Sequence, residues 1–261
     1  MSAFVPYLVP LGMTLVGFCL LWPLSVLRTD ASIVDGWWAP GFLAQVLLVV
    51  ALHPPLDNRA ALIVALMALW SARLTWVLVR RRIREGGEDP RYTSLREAWG
   101  ESFWWKSLFV VFILQGVIQW AIALGPISAL LAPSAALGAL SVVGLLIAML
   151  GIVLETKADA ELDQFKRSND GPILCKTGLR SLIRHPNYVG EILFWIGLGA
   201  IIAEVSVWGA ILSPVLIAIF LVKVSGAPML DERLSATRPD YDDYRRHVPA
   251  FIPRLRRRAI A

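Results

Sequence analysis

The sequence predicts an all-α integral membrane protein, with about seven transmembrane helices in one domain over residues 1–261. Composition, the spacing of apolar runs and the placement of basic residues carry this reading. Hydrophobic residues make up 57 % of the chain and charged residues 17 %, with a mean hydropathy of +0.62, too apolar for a soluble domain of this length. Runs of roughly the 17–25 residues that a spanning helix needs fall at 6–27, 38–54, 60–79, 106–125, 134–156, 188–205 and 207–225. Of the 25 Lys and Arg residues, 22 lie in 80–106, 157–184 and 223–261, and seven helices would bring all three stretches to one face. Short loops rich in Lys and Arg stay cytoplasmic, so the amino terminus is expected outside and the carboxyl terminus in the cytoplasm.

The first run lacks the basic start and small-residue cleavage site of a signal peptide and is read as a membrane helix. The short loop 28–37, with SIVDGWWAPGF around the start of helix two, joins the charged face. Pro54, Pro55, Asp57, Asn58 and Arg59 mark a tight hairpin on the opposite face, because Pro cannot continue a helix and Asp or Asn favours turns. Helix three leads into RRRIREGGEDPRYTSLREAWGESFWWK, which holds five acids beside its basic residues. Pro126 and Pro133 are expected to break the chain between helices four and five. ETKADAELDQFKR contains neither Gly nor Pro and should continue helix five beyond the bilayer. SNDGPILCKTG then turns the chain, and RHPNYVGE opens helix six. RLRRR at 254–258 reads as a juxtamembrane anchor. Trp37, Trp38, Trp104 and Trp105, beside charged loops, fit rings at the lipid and water interface. Cys19 and Cys175 form no disulfide framework, no Cys/His spacing suggests a metal, and the net charge of +5 is topological, so no nucleic-acid partner is expected.

Anchoring needs only Lys and Arg, yet the charged face is mixed, and ionisable groups at the end of a membrane helix are functional candidates by default. Glu155, Asp159 and Lys166 share one helix face at i, i+4, i+11 spacing. They read either as a salt-bridged helix end or as a nucleotide site, with carboxylates on hydroxyls or an amide and Lys166 and Arg167 on phosphates. Arg84, Arg91 and Arg184 join the phosphate candidates, of which about half are expected to be merely anchors. Asp35, between Val34 and two Trp residues, reaches either the cytoplasmic film or a polar pocket. His185 reads as a phosphate or backbone partner before a proton donor. No GxGxxG follows a strand and no GxxxxGK[ST] occurs, so a soluble-type nucleotide domain has no motif support.

LETKADAELDQFK (154–166), TGLRSLIRHPNYVGE (177–191) and SGAPMLDERLSATRPDYDDYRRHVPAFIPR (225–254) resemble the carboxyl-terminal region of the steroid 5-alpha-reductase superfamily. The likeness is closest to its bacterial branch, long catalogued as a domain of unknown function. SIVDGWW and GGEDPRYTSLREAWGESFWWKSLFVVFILQGV extend it over most of residues 30–255. The resemblance implies helices one to four in 1–125, a cofactor-binding half in 134–255, and NADPH in a cavity open to the cytoplasmic side, with hydride passing to the beta carbon of an enone. It places Asp159 and Lys166 on the nucleotide and Asn187 and Glu191 near the nicotinamide, and Arg91 and Tyr92 match an Arg and a Tyr of the loop after helix three. The Gln-Glu pair that grips the carbonyl in animal steroid reductases is absent, and a family Tyr is here Trp70, so that chemistry is not inherited. The neighbouring isoprenylcysteine methyltransferases share the RHPxYxG core.

The resulting expectation is an NADPH-dependent oxidoreductase of the bacterial inner membrane, reducing an activated carbon-carbon double bond in a lipophilic, steroid-like or other enone. Asp35, Tyr92 and Glu191 are the catalytic candidates. Arg91, Glu155, Asp159, Lys166, Arg184, His185, Asn187, Tyr188 and Glu191 are the cofactor candidates, and no metal is assigned. The alternatives are an S-adenosylmethionine-dependent membrane methyltransferase and a non-enzymatic membrane protein or transporter.

Overall fold

Apolar side chains dominate seven helical stretches, and several of them begin or end at a cap or a breaker residue. The computed structural model describes residues 4–169, 171, 173–224 and 226–254, with only the backbone of Glu85. Among them are α1 (Val5–Leu27), α2 (Ile33–Leu52), α3 (Asn58–Glu85), α4 (Pro90–Trp99), α5 (Phe103–Ser107), α6 (Leu114–Leu130), α7 (Ala139–Ser168), α8 (Pro186–Ala203), α9 (Val207–Ile219), α10 (Ala227–Thr237) and α11 (Tyr241–His247). A π-helical turn, Leu108–Ile113, joins α5 to α6, and another, Phe220–Val224, follows α9. The described residues contain no strand. Seven helical stretches are long and apolar enough to cross a membrane: α1, α2, α3, the composite Pro90–Leu130, α7, α8 and Val207–Thr237. The chain is an all-helical integral membrane protein.

Local chemistry sets the boundaries. Asp57 caps α3 by accepting from the Ala60 amide at 2.7 Å, and Gly86 ends it at φ +63°, a conformation that favours glycine. Asp89 caps α4, with Pro90 in its first turn. Helix two begins at Ile33 rather than 38, because Asp35 finds partners on α4 and can enter the helix. Helix three runs to Glu85 and takes Arg80–Arg84 into the helix, while ETKADAELDQFKR continues α7 as expected.

Pro126 does not break the chain: α6 passes through it to Leu130. Proline removes the N–H that would bond the carbonyl four residues earlier. That carbonyl, on Ile122, instead accepts from the Ser213 hydroxyl of α9 at 2.5 Å. Such outside satisfaction is what membrane helices use to tolerate proline.

The antiparallel pair α7 and α8 is the tightest seam. Gly144 and Gly151 face Gly197 and Gly190; a Cβ on Gly151 would lie 2.5 Å from the Gly190 carbonyl, and one on Gly197 2.5 Å from that of Gly144. Small residues at this spacing let membrane helices approach to backbone contact. Beside the seam, Trp70 stacks on Phe194 with centroids 5.4 Å apart, and Phe42 and Trp195 close edge-on around them.

The two ends of the bundle differ in charge. One carries loop 28–32, the end of α3, α4, the end of α7 and the start of α8, tied by Arg82 to Asp30, Arg96 to Glu88 and Arg84 to Asp163. At the other end, buried Arg59 bonds Glu204 at 2.9 Å and the Ala136 carbonyl at 2.9 Å. Glu204 also accepts from the Gly138 amide and from the Ser141 amide and hydroxyl. It caps α7 from just beyond the end of α8, because Gly138 has no side chain to do so. Trp104 and Trp105 are outward and exposed. Trp37 and Trp38 are half-buried: Trp37 packs against Gly17 of α1 and Trp38 edges Phe42. Residues 255–258 of RLRRR lie outside the described residues.

Candidate functional site

Three linked groups of polar side chains occupy the charged end. In the first, the Asp35 carboxylate accepts from the Tyr92 hydroxyl at 2.7 Å and from Arg91 Nη2 at 2.7 Å. Gln115 of α6 donates to the same Tyr92 oxygen at 3.2 Å. Arg91 also bonds the α4 cap Asp89 at 2.9 Å. Burial alone would raise the Asp89 carboxyl, but Arg91, with Arg81 beyond it, holds it below its ordinary value. Asp35 is thus paired with Arg91 and Tyr92, with its side chain 25 % exposed.

In the second group, Arg73 of α3 bonds both Glu155 and Asp159 of α7, one guanidinium nitrogen to each. The i, i+4 spacing puts both acids on the face that meets α3. Lys166 lies on that face about 16 Å along the helix axis, exposed near the α7 end together with Arg167. Glu191 of α8 is buried beside Glu155 and accepts from Trp70 Nε1 at 3.0 Å and Trp195 Nε1 at 2.8 Å. The aromatic block is therefore the floor of this cluster. Tyr188, one turn before Glu191, stacks on His185 with ring centroids 5.4 Å apart. Asn187 is half-buried and its side chain makes no hydrogen bond among the described residues.

The third group holds the carboxyl-terminal tail. Asp231 of α10 accepts from Arg184 at 2.9 Å, pairs with His185 Nε2 at 2.9 Å and takes the Tyr241 hydroxyl. The Arg184 and His185 amides donate to the Pro249 and Ala250 carbonyls, and Arg184 Nη1 reaches the Val248 carbonyl at 2.7 Å. The Tyr244 hydroxyl donates to the Arg180 carbonyl at 2.5 Å, and its burial pushes it up to about 12. Arg184 and His185, read in the sequence as phosphate partners, are engaged here in fastening the tail, the backbone role that was also open to His185. Asp231 and Tyr241 went unsingled because Asp231 meets Arg184 and His185 across 47 and 46 residues, and its bond to Tyr241 joins two separate helices. Arg73, Trp70, Trp195 and Gln115 were likewise not assigned as site members; an Arg inside an apolar run and the family Tyr position that Trp70 occupies were the available signals. Among the described residues, no group of three or more His, Cys, Asp or Glu could hold a metal ion.

The chain matches the family described as Protein of unknown function (DUF1295) over residues 21–248. It belongs to that family. An uncharacterized protein of Schizosaccharomyces pombe is 29 % identical to this DUF1295 chain, over 96 % of the chain and 80 % of the yeast protein. The nickel-cobalt-cadmium resistance protein NccN of Alcaligenes xylosoxydans xylosoxydans is 33 % identical over 42 % of the chain. The cobalt-zinc-cadmium resistance protein CzcN of Cupriavidus metallidurans is 31 % identical, also over 42 %. Each of these two matches covers 50 % of the resistance protein. No solved structure matches the chain.

Proposed function

We propose that this DUF1295 protein is an NADPH-dependent reductase of an activated carbon-carbon double bond in a lipophilic substrate. It works at the charged end of the bundle, which on this reading faces the cytoplasm of a bacterial inner membrane. The supporting observation is the buried Tyr92 hydroxyl, which donates to Asp35 and accepts from Gln115 at the end that also carries Asn187, Tyr188 and Glu191. Reduction of an enone creates an enolate that needs a positioned acid, and Tyr92 is that acid on this reading: its O–H, donated to Asp35 in the absence of substrate, turns to the enolate, while Arg91 holds the Asp35 carboxylate it leaves. The half-buried Asn187 amide, which carries both an N–H donor and a carbonyl acceptor, offers the pairing that a carboxamide requires. NADPH, when bound, supplies the hydride. Asn187, Tyr188 and Glu191 would hold its nicotinamide, and Asp159, Lys166 and Arg167 its hydroxyls and phosphates. The steroid 5-alpha-reductase resemblance of the same segments supports this assignment.

Thermal unfolding of the detergent-purified protein tests it. NADPH should raise the unfolding temperature and S-adenosylmethionine should not. The reverse pattern would replace the proposal with a methyltransferase, and ion transport in proteoliposomes without nucleotide binding would replace it with a transporter.

A further inference from the structure

We propose that Glu155 and Glu191 hold a single proton between them in the ligand-free protein. The α7–α8 seam presses Glu155 against the residue that precedes Glu191: a Cβ on Gly190 would lie 2.5 Å from Glu155 Cγ and 2.7 Å from the Gly151 carbonyl. Glu155 is 1 % exposed and Glu191 9 %. Glu155 Oε2 takes Arg73, whereas its Oε1 is buried with no hydrogen-bond partner, and the neighbouring acid is Glu191. Both oxygens of Glu191 accept from indoles, so neither indole is free to serve Glu155. The missing partner is a hydrogen, and a shared carboxylic O–H supplies one.

Charge leads to the same answer. The charged groups facing the pair are Arg73 from α3 and Asp159 from α7, and Arg180, from the segment before α8, faces Asp159 in turn. Asp163, the remaining neighbour of Asp159, is bonded to Arg84 at 2.6 Å. Three ionised carboxylates against two guanidinium groups leave one negative charge in excess. A buried unpaired charge is removed by taking up a proton rather than tolerated, and adjacent carboxyls that cannot both ionise share one. The proposal rests on this geometry and does not depend on the reductase reading. For that reading it means that the floor of the site is neutral toward an uncharged ring and can shed a proton to face a cationic one.

Infrared spectroscopy of the full chain in detergent, compared in light and heavy water at neutral pH, tests it. The expected result is a deuterium-sensitive carbonyl stretch of a protonated carboxylic acid, lost in Glu155→Gln and in Glu191→Gln but retained in Glu204→Gln. Either substitution leaves two carboxylates against two arginines, so the remaining partner ionises. Absence of the band from the unsubstituted protein, or its survival in Glu155→Gln, would overturn the proposal, and Glu155→Gln decides alone if Glu191→Gln does not fold. Failure of NADPH to bind would remove the reductase reading and leave this band in place.

Discussion

Replacing Arg73 with leucine is the sharpest perturbation of the charged end. Its side chain is 11 % exposed and its guanidinium is the bonded cation of both Glu155 and Asp159. Removing one partner of a buried ion pair typically costs about 3–5 kcal/mol, because the other charge is left uncompensated. Two carboxylates lose their bonded cation here, which argues for the upper half of that range, whereas Arg180 still faces Asp159 and Arg73 Nε has no partner even in the native state, which argue for less. We expect a loss of about 4 kcal/mol at neutral pH. Equilibrium unfolding in mixed micelles measures it. Lowering the pH into the ordinary carboxylate range should shrink the loss, since the stranded acids then protonate. Adding Glu155→Gln and Asp159→Asn to Arg73→Leu should recover about half or more of it, because neither side chain that Arg73 held is then a carboxylate. A loss below about 1 kcal/mol, the range of exposed pairs, or no recovery in the triple variant, would refute the reasoning.

Four further outcomes follow from the same contacts. Hydrogen bonds from Ser141, with the Gly138 amide and Arg59, pull the Glu204 carboxyl down to about 2 from an ordinary 4.5. A depressed acid contributes stability that is present above its unfolded value and lost as pH falls through the folded one. Acid titration should therefore show a decline between about pH 4.5 and 2, which Glu204→Gln removes along with roughly 1–3 kcal/mol of neutral-pH stability. Ser213→Ala should cost about 1–3 kcal/mol by stranding the Ile122 carbonyl, and Pro126→Ala should restore it in the double variant by returning an N–H. Asp231→Ala should release the tail, read as faster amide exchange at Arg184 and His185 and new protease cleavage between α10 and α11. Tyr92→Phe should lower turnover on an enone by about 10²–10⁴-fold while leaving the affinity for NADPH unchanged.

How much was legible from the sequence depended on how local each cause was. The seven spans and the single charged end followed from apolar run length and basic-residue placement, both of which need no knowledge of neighbours. The α7 extension was legible because ETKADAELDQFKR carries its helix propensity within itself. Helix two started early because Asp35 is supported by Arg91 and Tyr92, 56 and 57 residues away. Likewise, nothing near Pro126 indicates that a serine from another helix will take its orphan carbonyl. At the site, the i, i+4 acids were visible as a pair, but their cation Arg73 was not. Arg184 and His185 looked like anion partners because the anion they meet, Asp231, is a side chain of the tail.

The Pro126 and Ser213 contact also constrains the order in which such a sequence can be assembled. A carbonyl oxygen has two lone pairs, so a serine at 213 can sit beneath an ordinary α6 helix as a second donor to Ile122. The proline can then arrive with its substitute bond already made. In the opposite order the chain would pass through an intermediate with an unsatisfied carbonyl among apolar side chains. Once the proline is in place, loss of the hydroxyl is penalised, so the pair behaves as a one-way step. Descendants that keep the proline should keep a hydroxyl opposite it, whereas descendants that lose the proline are free to lose both.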